Sequence, residues 1–170
     1  MVVSNLTEGA RREVENVQAA IEPDLIYPLL RGRDVARWQA QPLAYILMVQ
    51  DPEQRRGYDE DWLSVTYPKT YAYLKHFEED LRQRSAYTRY FARRAPFYTM
   101  FNVGTYTFAQ HKVCWREQAS SLISVVVEQL ESKVIVPDHK LMLIEVDTDQ
   151  EAYYLSAALN SSPAKFVVLA

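Results

Sequence analysis

The sequence predicts an α+β protein, a mostly antiparallel twisted sheet with helices packed at its margins. Three observations carry that reading. An amphipathic helix opens at Pro68, with Tyr71, Leu74, Phe77 and Leu81 along one stripe. From Phe97 onward the pattern changes to short β-branched runs, such as Val125-Val126-Val127 and Val134-Ile135-Val136, separated by turn residues. The chain has 170 residues, 48% of them apolar and only four glycines, which suits one folded domain over residues 1–170.

The elements follow in order. Val14, Val17 and Ile21 recur at helical spacing, so residues 11–21 are expected to form a short helix. Pro23 and Pro28 bracket a tight segment leading to Arg31-Gly32-Arg33-Asp34-Val35, with Trp38 expected to anchor it in the core. Residues 43–49 form an apolar run of strand length, and residues 51–61 a charged loop broken by Pro52. The helix from Pro68 is expected to reach about Arg84, and residues 85–96 to form a basic connector. Strands are expected at residues 97–101, 105–108, 112–115, 122–127, 133–136 and 140–146. Thr148-Asp149-Gln150-Glu151 is a capping box for a helix with Ala152, Leu155 and Leu159 facing inward, ending near Asn160-Ser161. Ser162-Pro163 opens a last helix whose apolar turn stops at Ala170, as expected of a fragment of a longer polypeptide.

Several chemistries find no support in the residues. Glycines at positions 9, 32, 57 and 104 cannot build a phosphate loop, and His76, His111 and His139 lack metal-ligand spacing. Glu131-Ser132-Lys133 ahead of Pro137-Asp138 inverts the order that metal-dependent nucleases use, so Pro137-Asp138 reads as a turn between strands. Cys114 lies in an apolar strand-like run, as a buried structural thiol would, and one cysteine fits a reducing cytoplasm. No stretch reaches the roughly 20 apolar residues of a membrane span, and the N-terminus lacks the pattern of a signal peptide.

Charge is distributed unevenly. Residues 67–116 hold nine Lys or Arg against three acids, a local +6 in a chain whose net charge is −3. Seven of the twelve tyrosines lie in the same window. Cations interleaved with rings make one face a candidate for a polyanion. Arg33 and Arg37, four apart beside Gly32, can project from one turn of backbone. Lys69 sits at a helix start, where a phosphate would also meet the positive end of the dipole. Arg89, Arg93 and Arg94 lie in the basic connector, and Lys112 and Arg116 flank a strand, where a bulge is expected to be needed for both to face one way. The DNA-binding candidates are therefore Arg33, Arg37, Lys69, Arg89, Arg93, Arg94, Lys112 and Arg116, with no catalytic and no metal-binding residue.

Four signatures occur in a set order: residues 21–38 (IEPDLIYPLLRGRDVARW), residues 67–74 (YPKTYAYL), Tyr106-Thr107-Phe108 followed by Lys112-Val113-Cys114-Trp115-Arg116, and Val136-Pro137-Asp138-His139-Lys140 with Ala152-Tyr153-Tyr154-Leu155 and Leu159-Asn160-Ser161-Ser162. Together they resemble the TaqI-like C-terminal specificity, or target-recognition, domain of adenine-specific DNA methyltransferases and fused restriction–modification enzymes. The resemblance implies double-stranded DNA as partner and a covalently linked Rossmann-like catalytic domain in the full-length protein. It places S-adenosylmethionine in that catalytic domain and no cofactor in this chain, where the Asn-Pro-Pro motif is missing. A domain docking an acidic protein partner is the alternative reading of the same charges, and an intrinsic nuclease a more distant one.

Overall fold

A computed structural model describes residues 1–8, 13–91 and 94–169. In chain order the first strands are β1 (Val2–Ser4), β2 (Gln18–Ala20), β3 (Ile26–Leu30), β4 (Val35–Ala36), β5 (Gln39–Ala40), β6 (Ala44–Leu47), β7 (Gln50–Asp51) and β8 (Arg56–Gly57). Helices α1 (Glu60–Thr66), α2 (Pro68–His76), α3 (Glu78–Arg82) and α4 (Ser85–Tyr90) follow. The second half holds β9 (His111–Arg116), β10 (Ser124–Val127), β11 (Gln129–Leu130), β12 (Lys133–Val134), β13 (Val136–Pro137), β14 (Leu141–Val146), α5 (Asp149–Leu159) and α6 (Ser162–Leu169). The fold is α+β and rich in antiparallel pairs; β13, pairing parallel to β3, departs from that pattern.

The chain divides into two compact units, Met1–Ile26 with Val49–Val103, and Tyr27–Met48 with Gly104–Ala170. In the first, β1 pairs antiparallel with β2 at Gln18–Ala20, where residues 11–21 were expected to be helical; residues 11 and 12 lie outside the described residues. The Asn5 side chain accepts from the Val17 amide and donates to the Glu15 carbonyl, tying the approach to β2 to the end of β1. Where residues 51–61 were expected to be a charged loop, Gln50–Asp51 pairs with Arg56–Gly57 and α1 opens at Glu60, capped by Asp59, whose carboxylate accepts from the Asp61 and Trp62 amides. The helix from Pro68 breaks at Phe77, whose amide turns to the Leu74 carbonyl at 3.0 Å, and residues 85–90 are helical, not an irregular connector.

Residues 97–101 form no strand. Side chains take their backbone groups instead: Arg84 donates to the Phe97 and Thr99 carbonyls, while Gln50 donates to the Tyr98 carbonyl and accepts from the Met100 amide. Those partners let Phe97, Tyr98 and Thr99 all be buried, which strand alternation would not. Gly57 lies under this segment. A Cβ there would come within 2.8 Å of the Tyr98 ring, so only glycine fits.

The second unit is built on the antiparallel sheet β10–β9–β14, with α5 packed against all three strands. Leu30, Val35, Cys114, Val125, Val127, Ile135 and Leu141 form its core. The register of β9 is continuous against both neighbours, from His111 opposite Val146 to Arg116 opposite Leu141. No bulge interrupts it, and none is needed: Lys112, Cys114 and Arg116 already share one face at period two. Residues 105–108 form a 3-10 turn, not a strand, with the Thr107 hydroxyl accepting from the Gly104 amide. Thr148 caps α5 through the Glu151 amide as expected. Glu131 and Ser132, both at positive φ (51° and 64°), make the two-residue turn joining β11 to β12, the geometry such hairpins require. Asp138 opens the turn into β14 by accepting from the Leu141 amide.

Candidate nucleic-acid interface

In the first unit, much of the basic window is occupied by the protein itself. Lys75 and Arg82 both reach Glu78 at 2.6 Å, and both cations lie over the Phe97 ring, at 5.4 and 5.5 Å. The hydrogen bonds from Lys75 and Arg82 hold the Glu78 carboxyl below the usual range. Arg84 donates to the carbonyls of Leu81, Phe97 and Thr99, and burial lowers its pKa. These three cations organise the fold.

Lys69 is exposed at the start of α2, but the helix terminus beside it is filled. The Glu22 carboxylate accepts from the amides of Lys69 (3.1 Å) and Thr70 (2.8 Å) and from the Thr70 hydroxyl (2.7 Å). Burial works against that charge, yet the Thr70 and Lys69 hydrogen bonds outweigh it and hold the carboxyl at about 2. The expectation of a phosphate at this terminus is thereby corrected, because an internal anion already sits there.

Arg89 and Arg94 are exposed, whereas Arg93 lies outside the described residues. The Arg89 guanidinium stands 5.4 Å over the Tyr90 ring. Tyr90 in turn stacks on Phe101, centroids 4.1 Å apart and planes 14° from parallel, with each residue 50% exposed. Sequence reasoning missed this stacked pair, since the two residues are eleven apart and no periodicity links them.

In the second unit, the segment from Arg31 to Trp38 carries three arginines. Asp34 is buried, and its carboxylate accepts from the Arg31 amide and from Arg31 Nε at 3.2 Å. Arg31, not Arg33, is its partner, so Arg33 stays exposed with no ion pair among the described residues. Arg37 donates through Nη2 to the Asn160 carbonyl at 2.9 Å, and Arg116 through Nη2 to the Val35 carbonyl at 2.9 Å. Both are exposed residues, and a neutral carbonyl fixes each guanidinium without cancelling its charge.

Lys112 is corrected. It is 0% exposed, and its ammonium donates to the Thr107 carbonyl at 2.7 Å and the Ile135 carbonyl at 3.0 Å. Burial brings its pKa down to about 8. It shares the Arg116 face of β9, but the centre of that face is the core, so a cation there cannot meet a phosphate.

Trp38 is corrected as well. It is 57% exposed, at φ 66°, with no ring partner among the described residues. Val35 occupies the core position instead, and Arg37-Trp38 is the two-residue turn between β4 and β5. A bulky residue in the left-handed region carries no sequence signal, because turns there normally favour Gly or Asn. Cys114 is buried as expected, with its thiol pushed up to about 12 by burial.

The geometry defines an α+β chain whose exposed Arg33, Arg37 and Arg116 have no ion pair among the described residues. Among known proteins the chain is similar to a type II methyltransferase, M.NspV, from Nostoc sp. (strain ATCC 29411 / PCC 7524), at 26% identity over 148 residues. The match covers 85% of this chain and 29% of that protein, so the chain spans under a third of the length of the curated relative it matches. No protein-family profile matches the chain. No helix among the described residues is long and apolar enough to cross a membrane.

Proposed function

We propose that the chain is a double-stranded-DNA recognition module of an adenine-specific methyltransferase from a restriction–modification system, of the TaqI-like specificity type. The observation that carries the reading is the similarity to part of a type II methyltransferase across 85% of this chain. The exposed cations support it. Arg33, Arg37 and Arg116 in one unit, and Lys69, Arg89 and Arg94 in the other, carry no carboxylate partner among the described residues. Such groups neutralise phosphates and supply salt-dependent affinity, while forked side chains at base edges supply sequence preference. In this reading a linked catalytic domain binds S-adenosylmethionine and transfers the methyl group in the cytoplasm, and this chain reads the surrounding bases.

Electrophoretic mobility shift against a duplex panel across a salt series tests the proposal. Binding that weakens steeply as salt rises is expected. Absence of duplex binding at any salt, by the chain alone and by the chain fused to a methyltransferase catalytic domain, would overturn it in favour of a protein-docking role.

A further inference from the structure

The turn at Arg37-Trp38 combines features that rarely occur together. A tryptophan in the left-handed region is strained, and strain of that kind persists only where the surroundings over-determine the backbone. Here they do. Val35, 2% exposed, is part of the core cluster, and Ala40 packs against the same cluster. The Asp34 carbonyl accepts from the Gln41 amide, and Arg116 ties down the Val35 carbonyl. Arg37 is tethered to Asn160, itself buried and bonded in both directions to Ser124. The hairpin is thus a rigid mount, and what it presents to solvent at its tip is an indole.

Burial does not explain the residue, because Trp38 is 57% exposed and makes no ring contact among the described residues. Its neighbours indicate what it meets. Arg37 is the other residue of the turn, Arg33 lies just ahead of β4, and Arg116 bonds the Val35 carbonyl within β4; none has a carboxylate partner among the described residues. An exposed flat apolar ring on a segment that also carries exposed cations matches a partner that offers flat apolar rings among anions, which is the surface of a nucleic acid. Apolar side chains held this way enter between base steps, and aromatic rings stack on exposed bases.

We infer that Trp38 is a base-stacking residue that enters the DNA duplex from the tip of the β4–β5 hairpin, while Arg33, Arg37 and Arg116 hold the flanking phosphates. This rests on the DNA-recognition reading above and assigns it a contact point. The ring packs against a base or base step and unstacks it locally. Asn is the informative replacement, since it tolerates the left-handed turn but cannot stack as indole does.

The test uses the whole chain and a duplex selected by it from a randomised library, carrying 2-aminopurine at successive positions. Trp38→Asn is expected to keep or raise the melting temperature while weakening binding about tenfold or more. Trp38→Phe is expected to retain most of the binding. Wild type should brighten 2-aminopurine at one position, and Trp38→Asn should not. Wild-type affinity in Trp38→Asn, alongside loss of binding in an Arg33→Ala/Arg37→Ala variant, would overturn the inference and leave the DNA reading standing. A melting temperature lowered in Trp38→Asn, with Phe failing to restore binding, would make the residue structural and equally overturn it. Failure of the wild-type chain to select any duplex would overturn both.

Discussion

Glu22 holds Thr70 by two hydrogen bonds, to its amide at 2.8 Å and its hydroxyl at 2.7 Å, from 48 residues away in sequence. No side chain of α2's own N-cap, Tyr67, does this work. The carboxylate supplies acceptors for orphan amides and a negative charge at the positive end of the helix. Glu22→Gln is expected to cost about 1 kcal/mol at neutral pH, the usual worth of a helix cap. The folded-state pKa is about 2 against an ordinary 4.5, so the contribution is complete above pH 4.5 and is lost as pH falls towards 2. Urea unfolding of wild type and variant should therefore differ at neutral pH and converge near pH 2; equal midpoints at neutral pH would contradict the role.

Lys112 gives the opposite titration. Its folded pKa of about 8 lies below the ordinary 10.5, so from pH 8 to 10.5 the unfolded chain binds the extra proton. Stability conferred by this group rises with pH across that window. Lys112→Met orphans the Thr107 and Ile135 carbonyls and is expected to destabilise by about 1–3 kcal/mol. The stability gap to wild type should widen between pH 8 and 10.5, as read by unfolding midpoints at each pH. A constant gap would mean the ammonium is not desolvated as its burial requires.

Arg33 and Arg37 should contribute to duplex binding as charges. Replacing both with Ala is expected to lower affinity and flatten the slope of log K against log salt by about 2, one unit for each phosphate left without its guanidinium. Fluorescence anisotropy with a labelled duplex at several salt concentrations measures the slope. An unchanged slope would remove the Arg31–Trp38 segment from the proposed phosphate contacts.

Arg93 and Arg94, replaced together, are expected to weaken duplex binding and flatten its salt dependence in the same assay. Retained affinity with an unaltered far-ultraviolet circular dichroism spectrum would take that segment out of the interface.

What could be read from the sequence depended on how locally each feature is determined. The strands at β9, β10 and β14 and the Thr148 cap of α5 were legible because β-branched runs and capping boxes encode themselves in adjacent residues. The pairing of Gln18–Ala20 with Val2–Ser4 was not, since a helical spacing of Val14, Val17 and Ile21 concealed a partner far away in sequence. Residues 97–101 read as a strand because β-propensity does not reveal that Arg84 and Gln50 would take their carbonyls. For the candidate interface, Arg33, Arg37 and Arg116 were placed correctly on the surface by charge alone. Lys112 defeated that logic because its two carbonyl acceptors come from other elements, and Trp38 because size suggested burial where geometry imposed a turn.

The lone thiol offers a practical handle. With Cys114 enclosed in the sheet and protonated at any working pH, maleimide and iodoacetamide chemistry passes it by. A cysteine introduced at an exposed position would then be the sole reactive sulfur, so a spin label or dye can be attached site-selectively without first removing the native one.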